Sequence, residues 1–128
     1  MGKFINRVIA MARGTVVVDE CLEPLASFLE DKNMHVILPE KKMSDDKIIK
    51  TLLANRILIT NNVDDFKNKA SSFDYGIIST KYVNIQQLEA LADMISSAII
   101  KHKLWSYRHG FLLTLKQDGK HKLEDLTD

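Results

Sequence analysis

Gly14-Thr15-Val16-Val17-Val18-Asp19-Glu20-Cys21 sets three consecutive valines directly before two carboxylates. A strand that is apolar toward both faces is one whose sheet is covered on both faces, as parallel sheets are. Thr15–Val18 is therefore expected to be a buried parallel strand. Ligands of open α/β sheets bind outside the carboxyl ends of the strands, so Asp19 and Glu20 would stand at the mouth of a crevice. Either acid also suits the first turn of the helix expected over Leu22–Glu30. An isolated pair of acids reads as such a helix start, unless further acids fall at equivalent places along the chain.

Working outward, the same alternation repeats. Met34–Leu38 is expected as a second strand closed by Pro39. Ser44 is a suitable N-cap for a helix carrying Ile48, Ile49, Leu52 and Leu53 on one face. Ile57–Thr60 reads as a third strand, followed by the polar run Asn61-Asn62-Val63-Asp64-Asp65. After Ser71-Ser72, Tyr75–Ile78 reads as a fourth strand. The longest helical pattern runs over about Ile85–Lys101, with Asn84 as its cap. Two short apolar runs then flank Gln117-Asp118-Gly119, a strong hairpin signal. Strands alternating with helices imply an α/β fold with a mainly parallel sheet, closed by a C-terminal β-hairpin. Ahead of it, residues 3–12 place Phe4, Ile5, Val8, Ile9 and Ala12 on one helical face, and Gly14 is placed to cap that helix. The expected organisation is an N-terminal amphipathic helix over 1–13, one α/β domain over 14–124 and a short tail over 125–128.

The composition narrows the function classes. The chain has 128 residues, 45% hydrophobic and 27% charged, with a formal net charge of +1. That balance fits a single globular domain and does not announce a nucleic-acid binder by bulk charge. A single cysteine, Cys21, precludes an intrachain disulfide and fits a cytoplasmic setting. No apolar run approaches the roughly 18–20 residues needed to span a membrane. Gly-rich phosphate loops, paired CxxC motifs and HExxH are lacking.

Three acidic clusters then stand out: Asp19-Glu20 after the first strand, Asp45-Asp46 opening the second helix, and Asp64-Asp65 after the third strand. In a parallel sheet these fall on one edge. Clustered carboxylates suit Mg²⁺ or Mn²⁺, which prefer oxygen ligands. Two such ions about 3.5–4 Å apart would clamp the attacking and leaving oxygens of a phosphodiester. Taken singly, Asp45 and Asp46 look like helix-start acids, and Asp64-Asp65 like the opening of a short third helix.

The segments VVVDECLEPLASFLE, MSDDKIIKTLL, RILITNNVDDF and DYGIIST, in this order and spacing, resemble the short nucleases of the PIN-like superfamily, in the branch opening with an Asp-Glu-Asn motif. The resemblance covers about Thr15 to Leu123. It implies a three-layer α/β sandwich around a mainly parallel, Rossmann-like sheet. It also implies a metal-dependent endoribonuclease, often the toxin of a toxin–antitoxin pair, with RNA as substrate and an antitoxin protein as partner. Carried over residue by residue, Asp19, Asp45 and Asp64 take the places of the metal-binding aspartates, with Asp65 the alternative for the last. Glu20, Asp46, Thr60 and Asn62 take supporting places. Two departures stand inside the motifs. Asn62 replaces an aspartate in a run one residue longer than the family's, and Cys21 replaces the asparagine of the first motif.

Basic residues supply the rest of the expected interface. Lys41, Lys42 and Arg108 are candidate phosphate contacts, and Arg108 lies in a C-terminal third that also carries Lys101, Lys103, Lys116, Lys120 and Lys122. Trp105 and Tyr107 could stack on bases, although core positions suit them as well. His102, His109 and His121 show no metal-ligand spacing, and nothing in the sequence places His35 or His109 beside Cys21 to make it a nucleophile. The competing reading is a catalytically silent PIN-like module that binds RNA or a protein. A phospho-receiver domain fits poorly, because the third strand ends in Thr60-Asn61-Asn62. A homodimer is expected from the amphipathic N-terminal helix.

Overall fold

The computed structural model describes residues 15–70, 75–84, 86–107 and 110–126. The helix expected over 1–13, its Gly14 cap, Ser71-Ser72, Ile85, Arg108, His109 and the final two residues lie outside this set. Six strands form one sheet: β1 (Thr15–Val18), β2 (His35–Ile37), β3 (Ile57–Thr60), β4 (Gly76–Tyr82), β5 (Phe111–Lys116) and β6 (His121–Asp125). Their order is β2-β1-β3-β4-β5-β6. All neighbours run parallel except the β5–β6 hairpin. Four α-helices connect them: α1 (Ala26–Glu30), α2 (Asp45–Leu52), α3 (Val63–Ala70) and α4 (Leu88–His102).

Strand alternation splits the core into two layers. Val16, Val18, Ile57, Ile59, Ile78, Phe111, Leu113 and Leu115 project to one face and meet Leu25 and Leu29, with Leu91, Ile95 and Ile99 of α4. Val17, Leu58, Ile77 and Leu112 project to the other and meet Ile48, Ile49 and Leu53, with Val63 and Phe66 of α3. Tyr75 is buried in this second layer, its hydroxyl donating to the Phe66 carbonyl at 3.1 Å, and burial pushes its phenol up to about 12. The α/β sheet covered by helices on both faces is the architecture the alternation of strands and helices implied.

Sides and order together give a finding about handedness. The β1–β2 crossover steps one way along the sheet with α1 on the first face. The β2–β3 and β3–β4 crossovers step the other way with α2 and α3 on the second face, which is the same hand. The β4–β5 crossover keeps stepping that way, yet α4 lies on the first face, so its hand is opposite to the other three. Parallel crossovers almost always share one hand. Coverage supplies the reason for the exception: α1 is only five residues long and cannot shield five strands' worth of apolar side chains. The 15-residue α4 closes that face.

Local chemistry explains most element ends. Ser44 caps α2 by accepting from the Lys47 N–H at 3.2 Å, with Asp45 and Asp46 in the first turn. Gly119 takes φ +85° in the hairpin turn, a conformation that favours glycine. Several expectations change: the fourth strand, expected over Tyr75–Ile78, starts at Gly76 and continues to Tyr82, and Asp125, assigned to the tail, is the last residue of β6. The helix expected from Leu22 begins instead as a 3₁₀ segment, Glu20–Leu25, with a kink at Leu22. Pro24, inside it, has no N–H to donate, and the Ala26 N–H still bonds three residues back, to the Glu23 carbonyl, as in a 3₁₀ turn. Asn84 does not cap α4: its side chain accepts from the Gln86 N–H at 2.9 Å, and the helix starts only at Leu88.

Candidate functional site

Asp19 follows β1, and its backbone N–H donates to the Ile59 carbonyl at 3.1 Å, carrying the β1–β3 pairing one residue past the strand. It occupies the N-cap position of the 3₁₀ segment, but its carboxylate makes no capping hydrogen bond. Instead Oδ2 accepts from Thr60 Oγ1 at 2.6 Å. Thr60 is fully buried at the end of β3 and in turn accepts from the Asn62 N–H at 2.9 Å. Beyond Thr60, the Asn62 side chain donates to Asp65 Oδ2 at 2.6 Å. A single chain of hydrogen bonds therefore runs from the end of β1 to the first turn of α3.

These groups border an open crevice of about 560 Å³ lined by Asp19, Glu20, Cys21, Asn61 and Asn62. It lies where the chain leaving β1 turns to the first face and the chain leaving β3 turns to the second. In doubly wound sheets such a divergence is where ligands bind. The loop before α2 closes one rim, through the Lys42 N–H donating to Glu20 Oε2 at 3.4 Å. Cys21 donates to Asn61 Oδ1 at 3.3 Å. Burial, and then the Asp19 charge, push the Cys21 thiol above its ordinary value, so it is protonated at neutral pH.

The other candidate acids are distributed rather than pooled. Asp45 and Asp46 open α2 and do not line the crevice. Asp64 and Asp65 are successive residues of α3, so their side chains diverge by about 100° around the helix. Asp65 turns back to Asn62, whereas Asp64 borders a second cleft. That cleft, about 170 Å³, is bordered also by Lys67, Ser79, Lys81, Tyr82 and Glu124. Among the described residues, no group of three or more His, Cys, Asp or Glu side chains could hold a metal ion. The crevice donors are two carboxylates and two side-chain amides. Such a set fits one hydrated Mg²⁺ or Mn²⁺, which needs only one or two carboxylates beside its waters. It does not fit a two-ion clamp.

Sequence reasoning found Asp19, Glu20, Thr60 and Asn62, all of which the structure brings together. It missed Asn61 as a crevice residue, and it missed the second cleft entirely. The available signal was polarity within otherwise apolar strands: among the described residues the buried polar side chains are Thr60, which ends β3, and Ser79 and Thr80 within β4. Trp105 and Tyr107 pack against the first-face core, and Tyr107 meets Phe111 edge-on at 5.1 Å. No helix among the described residues is long and apolar enough to cross a membrane. No protein-family model matches the chain, and no curated protein or solved structure is significantly similar to it.

Proposed function

We propose that the chain is a PIN-like, metal-dependent endoribonuclease whose working centre is the Asp19 crevice. The observation that carries this reading is the Asp19 carboxylate itself. It stands at a switch point of the sheet and is released from helix capping. A buried threonine holds it. A carboxylate that only started a helix would spend its oxygens on backbone N–H groups. Asp19 and Glu20 would hold a single Mg²⁺ or Mn²⁺, and such an ion, when bound, lowers the pKa of its water and offsets phosphate charge. Thr60 donates to Asp19 and fixes the direction of its carboxylate. Asn62 positions Thr60 through its N–H and ties Asp65 through its amide. Lys41 and Lys42, in the loop that reaches Glu20, suit phosphate contact at the rim. A toxin role, an antitoxin partner and a homodimer belong to the same reading.

A second reading, a PIN-like module that binds RNA or a protein without cleaving, is favoured by the position of Asp64 in another cleft and by the Asn62–Asp65 bond. One experiment separates the two. Pure protein and Asp19→Asn are incubated with single-stranded RNA and Mn²⁺, and metal binding is followed by calorimetry. Cleavage that disappears in the variant is expected. Intact RNA together with no heat of metal binding would leave only the silent module.

A further inference from the structure

The reversed β4–β5 crossover has a consequence for the second face of the sheet. Chain leaving β3 passes to the second face, into α3, whereas chain leaving β4 passes to the first, into α4. Adjacent outgoing connections thus diverge a second time. With α4 on the first face, the second face beside α3 is left open over β4, β5 and β6, and the 170 Å³ cleft lies there, on a floor of Ser79, Leu112 and Thr114. Its walls come from the first turns of α3 (Asp64, Lys67) and the end of β4 (Lys81, Tyr82), with Glu124 of β6 closing the far side. The register between β4 and β5 shifts between Ser79 and Tyr82. Irregularities of this type re-aim side chains and concentrate near binding sites. Tyr82 ends up 61% exposed, an unusual setting for an aromatic residue in a strand, with Lys81 Nζ 5.7 Å from its ring centroid.

We propose that this second cleft is a ribonucleotide subsite, holding a nucleotide that neighbours the one at Asp19 on the same single strand of RNA. The proposal rests on the nuclease reading for the identity of the strand. Each wall has a matching partner chemistry. The exposed Tyr82 ring offers a face for base stacking, which is tolerant of sequence. Lys67 and Lys81 supply phosphate charge at the rim. Asp64 and Glu124 would repel a phosphate but accept from a ribose 2′-hydroxyl or a base amino group, so the sugar and base enter while the phosphate stays with the lysines. Ser79 adds a hydroxyl at the floor. The first turn of α3 serves both clefts: Asp65 is tied back to Asn62 of the Asp19 crevice, whereas Asp64 borders the second cleft.

The test uses fluorescence anisotropy of a labelled single-stranded oligoribonucleotide in EDTA, with the intact chain. Tyr82→Ala, being at an exposed position, is expected to fold and to weaken binding about tenfold, as loss of one stacked base does. Lys67→Ala/Lys81→Ala should lower the salt dependence of log Kd by about two slope units relative to wild type. Lys50→Ala, an exposed lysine on α2, controls for bulk charge. An oligodeoxynucleotide of the same sequence should bind more weakly than the RNA. Unchanged affinity and slope in both cleft variants would overturn the subsite, even if RNA is cleaved in an Asp19-dependent way, and would leave the nuclease reading standing. Tyr82-dependent RNA binding without any cleavage would support the subsite and sink the nuclease reading. A wild-type chain that binds no RNA overturns the subsite.

Discussion

Thr60 Oγ1 donates to Asp19 Oδ2 at 2.6 Å across the β1–β3 pair, and the threonine is wholly buried while the aspartate reaches the crevice. The hydroxyl also accepts from Asn62 N–H, so one side chain serves both the end of β1 and the start of α3. Thr60→Val keeps the shape but leaves both partners without it. It should lower unfolding free energy by about 1–3 kcal/mol, whereas Thr60→Ser should cost less, because it retains the hydroxyl. Urea denaturation measures the stability, and a Thr60→Val midpoint equal to wild type would refute the assignment. The RNA cleavage proposed for the crevice should fall with Thr60→Val and recover with Thr60→Ser.

Cys21 reports on Asp19 without any need for substrate. Its thiol is raised by burial and by the Asp19 charge, so alkylation by iodoacetamide near neutral pH should be slower than for a free thiol. Asp19→Asn removes the charge, lowers the thiol pKa and should speed the reaction severalfold. Equal rates in the two proteins would show that the carboxylate does not act on Cys21.

A pH dependence is expected from the far end of α4. His102 Nε2 and His121 Nδ1 lie 2.8 Å apart, joining α4 to β6. Burial, then the His121 and Lys101 charges, hold His102 below its ordinary value of 6.5. The folded state therefore carries fewer protons than the unfolded chain in this window. Unfolding takes up a proton there, so stability is full above about pH 6.5 and is lost as pH falls through the lower folded value. Melting temperature should drop between roughly pH 7 and pH 5, and His102→Gln should flatten the drop. A wild-type curve as flat as that of the variant would exclude the pair as its source.

Gly76 pairs in register with Phe111, and a Cβ on Gly76 would fall on the Phe111 ring. That ring already meets Tyr107 edge-on, which limits where it can move. Gly76→Ala should cost about 1–3 kcal/mol as an overpacking change. Combining it with Phe111→Leu should cost less than the sum of the two single changes, since the residues are in contact. Full additivity in denaturant unfolding would argue that the ring and the glycine do not compete for space.

Much of the scaffold can be read from residue types. Three valines and the run Ile57-Leu58-Ile59-Thr60 mark β1 and β3 to the residue, because buried parallel strands need unbroken apolar character. Gln117-Asp118-Gly119 marks the hairpin, since only certain residues tolerate that turn. Asp19, Thr60 and Asn62 were legible together because they are tied to strand ends. The fate of Asp64 was not. Its direction depends on α3 starting at Val63, a boundary that local pattern does not fix. Nor does the pattern of α4 reveal which face it covers, because an apolar stripe suits either side equally. The second cleft follows from that choice of face and from a register shift in β4, and both depend on long-range packing.

Every side chain lining the Asp19 crevice is encoded by residue 62, whereas α4 ends at His102 and β5 comes later still. During synthesis from the N-terminus, the crevice residues leave the ribosome well before the helix that seals the apolar layer beneath them. Nascent chains must therefore carry a bare sheet face for some forty residues of translation. Damage to the C-terminal half therefore reaches the crevice as a shortage of folded protein.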